Sequence, residues 1–152
     1  LLTFGGLGLE RLPWKTLQRQ QDYYFVGTDN KPQRDGNICV LPEKQREYCD
    51  LVRAADVIIA KPGYGIVADI LAHQTPVLYV ERNDFPEFAY LAQALNELTT
   101  AEFLPLDDLL SGSIEQHLVR LLQQERHWAA VPLNGAQVAA EKIIALAVAA
   151  SS

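Results

Sequence analysis

The chain has 152 residues, 49% of them hydrophobic and 21% charged, which suits one ordinary globular domain with a core of its own. A net charge of −6 without any run of lysines or arginines lacks the footprint of a nucleic-acid binder, so an anion must be gripped locally. No apolar run reaches the length that spans a bilayer, and the first residues lack the regions of a signal peptide, so the chain reads as soluble and cytoplasmic, with no transmembrane segment.

Residues 1–4 form the first apolar run and predict a strand. The sequence opens inside that run and contains no methionine, so the expectation is a single domain over 1–152 that is a C-terminal fragment of a longer two-domain protein. A glycine-rich stretch, Gly5-Gly6-Leu7-Gly8, precedes a predicted helix over 13–19. A strand over 23–26 leads into the polar stretch 27–37, read as an exposed or mobile loop with no room for a helix. Next come a strand over 38–41, a helix over 44–53 and a strand over 57–60. The turn Lys61-Pro62-Gly63-Tyr64-Gly65 then leads into a helix over 66–73 and a strand over 77–80. The polar run 81–88 enters a helix over 87–97. A weaker strand over 100–104 and helices over 113–125 and 136–149 close the chain, with Val138, Ile143, Ile144 and Leu146 suggesting that the last helix is packed.

Almost wholly apolar short strands alternating with helices have one simple explanation: a strand buried on both faces has no polar alternation. The predicted fold class is therefore α/β, a doubly wound Rossmann-like parallel sheet with helices on both faces. Cys39 and Cys49 fit neither zinc spacing nor a disulfide framework and read as reduced, structural thiols. His73, His117 and His127 are scattered, and none is assigned to a metal or to catalysis.

In the common doubly wound order the first strand and the strand over 57–60 are neighbours, and ligands bind in the crevice outside their carboxyl ends. Both glycine-rich stretches would face that crevice. A glycine there allows positive φ and lets an anion approach the backbone, while the amides of the following helix and its dipole stabilise a phosphate near Gly65 and Ile66. Lys61 would supply a full charge and Pro62 would stiffen the turn. Asp69, four residues after Gly65, shares its helix face; it either accepts hydrogen bonds from ribose hydroxyls or complements the helix dipole, worth about 0.3–1 kcal/mol. The run Glu81-Arg82-Asn83-Asp84-Phe85-Pro86-Glu87-Phe88 offers donors and acceptors for a sugar, or simply opens the next helix.

Two familiar phosphate motifs are absent. Gly6 and Gly8 start a GxGxxG pattern, but Arg11 takes the third glycine position and no acidic residue closes the second predicted strand, which argues against a nicotinamide dinucleotide; no GxxxxGK[ST] occurs.

The stretches TFGGLGL (3–9) and AADVIIAKPGYGIVADILAHQTPVLYV (54–80) resemble the C-terminal, nucleotide-sugar-binding half of GT-B glycosyltransferases, particularly the peptidoglycan N-acetylglucosaminyltransferase group. The likeness covers at least residues 1–98. A closer resemblance, over nearly the whole chain, is to the glycosyltransferase-like module attached to plant arabinose kinases and to free-standing bacterial relatives. There KPGYG, a segment like ERNDFPEF and a late NGAQVAAEKI segment recur together. The resemblance implies that Gly6 and Gly8 approach the diphosphate or donor sugar and that Gly63, Tyr64, Gly65 and Ile66 bind phosphate through backbone amides. It places Asp69 where the transferases have a ribose-holding glutamate. The backbone around Val40, Leu41 and Pro42 would meet the base, and Asp84 and Glu87 the sugar. Ile66 replaces a frequent Thr, and Glu87 stands where the transferase group tends to have Gln.

The implied function is binding of a nucleotide-sugar donor, a UDP-sugar, with no cofactor or metal. Glycosyl transfer to an unknown acceptor is expected only with the missing N-terminal domain as partner, and that domain would normally supply the general base. A non-catalytic sugar-nucleotide sensor or interaction module and a UDP-sugar epimerase remain as alternatives.

Overall fold

The computed structural model describes residues 1–4, 12–29, 31–42, 48–83 and 85–150. In chain order the elements are β1 (Leu2–Thr3), α1 (Trp14–Leu17), β2 (Phe25–Asp29), β3 (Gln33–Asp35), β4 (Ile38–Pro42), α2 (Tyr48–Ala54), β5 (Ile58–Ala60) and α3 (Tyr64–His73). Then come β6 (Val77–Tyr79), α4 (Phe88–Leu98), β7 (Ala101–Phe103), α5 (Leu106–Ser111), α6 (Glu115–Gln123) and α7 (Gly135–Ala150).

Strands β1, β5, β6 and β7 form a parallel sheet in that order. A second sheet has the order β2, β4, β3, with β2 and β4 parallel and β3 antiparallel. Because β2 lies beside β1, the chain starts centrally, moves outward through β2 and β4, and returns to the other side of β1. That is the doubly wound order expected from the sequence.

The apolar strands are explained by two cores. Ile58 and Ala60 of β5 point toward α2, α3 and α4, packing with Val52, Val67 and Leu91. Ile59, between them, joins Leu2, Leu78 and the residues of α1, α5 and α6 on the opposite face. Each of the three is at most 2% exposed. Burying an aliphatic side chain of this kind stabilises the fold by about 1.5–3 kcal/mol.

Three expectations need correction. The stretch 27–37 is not merely a loop: β2 runs on to Asp29, and β3 pairs back on β4 as an antiparallel edge. Its residues 31–36 are exposed, which is why no apolar alternation marked β3. An acidic residue therefore does close β2. Asp29 Oδ1 accepts a hydrogen bond from the Lys31 amide at 3.0 Å, which starts the turn toward β3. The region between 104 and 113 holds a further short helix, α5, whose first-turn Leu106 amide donates to Glu81 Oε2 at 2.9 Å.

The third correction concerns α7. The helix forms, but none of its residues is buried, and Ile143, Ile144 and Leu146 are 63–71% exposed. Their spacing from Val138, five positions and then one and two, spreads the aliphatic groups around the helix instead of gathering them into the stripe that packing requires. Among the described residues no helix is long and apolar enough to cross a membrane.

Gly27 fixes how α1 sits on β2. A Cβ there would come within 2.6 Å of Trp14 Cη2 and 3.7 Å of the Leu2 carbonyl oxygen. The indole lies against the bare backbone, and nothing larger than glycine fits under it.

Candidate nucleotide-binding site

Thr3 of β1 pairs with Ala60 of β5, and the helices that come next, α1 and α3, pack on opposite faces of the sheet, the topology at which open α/β sheets bind ligands outside the carboxyl ends of their strands. Beyond β5 the backbone passes through Lys61, Pro62 and Gly63 into α3, which begins at Tyr64, two residues earlier than the sequence suggests.

Gly63 is the N-cap of α3, with φ −154° and ψ 161°, and it makes no side-chain cap. The first helical bond runs from the Val67 amide to the Gly63 carbonyl at 3.0 Å, so the amides of Tyr64, Gly65 and Ile66 precede any intrahelical acceptor. Neither glycine adopts positive φ, which corrects the reason expected for them. Extended φ at Gly63 is open to any residue, and Gly65 lies inside the first turn, where glycine costs about 0.5–1 kcal/mol relative to alanine. A Cβ on Gly65, an exposed position, would meet nothing within 4 Å among the described residues, so their packing does not demand glycine there.

Asp69 stands one turn further along α3, half-buried, and makes no hydrogen bond or ion pair among the described residues. Lys61 is likewise half-buried and unpaired among them. Ile66 packs its side chain on the α2–α4 core and offers the crevice only its amide. Tyr64 is 67% exposed at the mouth.

Tyr48, at the start of α2, was not anticipated. Its hydroxyl lies 2.6 Å from Thr3 Oγ1. Burial pushes the Tyr48 phenol above its ordinary value of 10, the Thr3 hydrogen bond pulls it back, and the Asp69 carboxylate pushes it up again. Three elements, β1, α2 and α3, thus bring polar side chains to one crevice.

Arg82, beyond the end of β6, was quoted within the polar run but given no role. Its Nη1 donates to the Pro62 carbonyl at 3.3 Å, and its guanidinium lies 3.9 Å from the centre of the Phe85 ring. Glu87 is the N-cap residue of α4; it makes no side-chain cap, and its carbonyl accepts from the Leu91 amide. Leu41 is half-buried near the end of β4, paired with Thr28 in the second sheet, with β2 between it and β1. Gly6, Gly8 and Asp84 lie outside the described residues.

A groove of about 560 Å³ opens at the other end of the strands, lined mainly by Leu1, Tyr23, Tyr24, Ala55 and Leu118. It is largely apolar, with Asp22, Asp56 and Arg126 as its charged residues.

The chain is similar to L-arabinokinase of Arabidopsis thaliana. The two are 29% identical over 91 residues, which is 60% of this chain and 9% of the plant protein. The chain therefore matches a small part of a much longer relative. No protein-family model matches the chain, and no solved structure matches it either.

Tyr48 and Arg82 went unassigned for a common reason. In sequence Tyr48 falls within the predicted helix 44–53, and Arg82 is one polar residue among several; only the return of β5 beside β1, with β6 next to it, brings them to the crevice. The available signal for Arg82 was its place just after a buried strand, with an aromatic three positions later.

Proposed function

We propose that the chain binds a nucleotide-activated sugar, most naturally a UDP-sugar, as the donor-binding domain of a glycosyltransferase-like protein. The observation that carries this reading is the uncapped start of α3, where Gly65 has no neighbour over its Cβ position among the described residues. A phosphate seated there meets free amides and the positive end of the helix dipole. Asp69, unpartnered one turn away, suits a pair of ribose hydroxyls. In the whole protein the same amides, with Lys61, would offset charge developing on the leaving diphosphate oxygen, while the general base would come from another domain.

The relative named for a sugar kinase supports a sugar-related role. It also favours a second reading, because the likeness spans 9% of that protein: a sugar-nucleotide-binding module attached to a separate catalytic unit, which binds without turnover.

Calorimetric titration with UDP, GDP, ADP and UDP-N-acetylglucosamine tests the binding common to both readings. Saturable uridine-nucleotide binding is expected, weakened about tenfold in Asp69→Ala, in line with loss of hydrogen bonds to a charged group. A folded Asp69→Ala variant that binds as well as the parent would remove the ribose role. Titrating full-length protein with acceptor candidates then separates transfer from binding alone.

A further inference from the structure

We propose that α7 of one copy docks into the apolar groove of a second copy, in reciprocal exchange, with Lys142 meeting Asp22 and Asp56. The groove lies at the strand ends away from the crevice, so this joint is independent of the nucleotide reading.

Two apolar surfaces of the chain stand open among the described residues. The first is α7, whose 16 residues include only two charges, Glu141 and Lys142, and none of which is buried. A helix without a polar face is ordinarily an enclosed one. The second is the groove of about 560 Å³, walled on one side by Leu51 and Ala55 in and after α2 and on the other by Leu118 and Leu122 of α6. Its rim exposes Tyr24 at 78% and Leu122 at 47%. A groove between two helices takes a third helix by an apolar row, and its walls cover that helix on several sides, as the scattered aliphatics of α7 require.

Charge sets which row enters. Val138, Lys142 and Leu146 are four residues apart, so they lie within about 80° of one another around the helix. They make an apolar row with one cation at its centre. The groove is apolar with two acids, Asp22 and Asp56, and one base, Arg126. All three are exposed, and none forms an ion pair with another side chain among the described residues. Lys142 complements the acids, and the adjacent Glu141 complements Arg126.

The chain does not seat α7 in its own groove. The His127 amide donates to Thr100 Oγ1 at 2.8 Å and the Ala129 amide to the Leu98 carbonyl at 3.0 Å. These bonds tie the connection to the start of β7, with β5 and β6 between it and β1, and from there α7 leaves without burying a residue. Reciprocal exchange about a two-fold axis fills both grooves and closes the assembly at two chains.

Sedimentation of the 152-residue chain over a range of concentrations tests this, and a concentration-dependent dimer is expected. Lys142→Glu should weaken it at least tenfold, as should the pair Asp22→Lys and Asp56→Lys; all three together should recover most of the loss. Leu122→Lys, which sets a second cation against Lys142, should also weaken it. Mixing Leu122→Lys with Leu146→Asp should restore a heterodimer through the one intact joint, a result that a symmetric α7–α7 contact does not give. A monomer at every concentration would overturn the inference, including one in which hydrogen exchange shows α7 protected in its own groove. A dimer indifferent to both Lys142→Glu and Leu122→Lys, or no heterodimer on mixing, would overturn it as well. If the paired aspartate variant fails to fold, Lys142→Glu and Leu122→Lys still decide, because both substitutions fall on exposed residues.

Discussion

Two polar clusters of this molecule invite comparison. In the first, His117 of α6 lies between Glu102 of β7 and Asp108 of α5, at 2.9 and 3.0 Å, and Arg120 reaches the same Glu102 oxygen at 2.6 Å. In the second, Lys61, Asp69 and the first amides of α3 lie on and just before one helix with no hydrogen-bond or ion-pair partner among the described residues. By residue type the first has the look of a catalytic constellation, and by hydrogen bonding it is the finished one. Its groups spend their donors and acceptors on one another and join β7, α5 and α6. The second cluster leaves its charges and amides without such partners among the described residues. Unspent hydrogen-bonding capacity in a half-buried position is the better guide to a binding site than a memorable combination of side chains.

The sharpest way to break this comparison is at Gly65. On the proposed reading, valine there should crowd a phosphate at the start of α3 and reduce nucleotide affinity about a hundredfold, the equivalent of two charge-assisted hydrogen bonds. Alanine should weaken binding too, yet raise stability by about 0.5–1 kcal/mol in denaturant unfolding, because the helix loses a glycine without a clash. A Gly65→Val variant that binds nucleotide normally would show that the space above α3 is idle.

His117→Ala should do the reverse. Glu102 is only 14% exposed but keeps Arg120, while Asp108 and Arg120 are 41% and 55% exposed, so solvent moderates the loss to about 1–2 kcal/mol in unfolding free energy. Nucleotide affinity should stay within about twofold of the parent. A binding defect without a stability defect would move His117 from scaffold to site.

The smallest effect is the most local. Ultraviolet titration of Tyr48, identified by difference from Tyr48→Phe, should show a midpoint above 10. Asp69→Asn removes a negative neighbour and should lower that midpoint; Thr3→Val removes the hydrogen bond to the phenol and should raise it. The linkage has one sign. A phenol whose folded value is raised contributes stability that is fully present below pH 10 and is lost as pH climbs through the folded value. Shifts of opposite sign in the two variants would confirm that β1, α2 and α3 face one another across the crevice, and equal shifts would contradict it.

Much of this arrangement was legible in the sequence where burial left a pattern. Ile58, Ile59 and Ala60 lie between two cores, so their lack of alternation reported a strand covered on both faces. The order that puts β5 beside β1 followed from the rhythm of strands and helices. What escaped reading was fixed by contacts rather than by periodicity. β3 is an exposed edge held by its ladder to β4, and α5 is six residues long. Arg82 acquires a fixed orientation only because β6 runs next to β5. The glycines at 63 and 65 were noticed for a backbone freedom they do not use.

The seating of Trp14 on Gly27 constrains how this sequence can change over time. A side chain at position 27 collides with the indole unless position 14 has already become smaller, whereas shrinking Trp14 first opens a gap without a clash. The two substitutions are therefore ordered: 14 must yield before 27 can. Lineages that kept the tryptophan would be held to glycine opposite it, and those that lost it would be free to fill the strand, with the way back closed once they had done so.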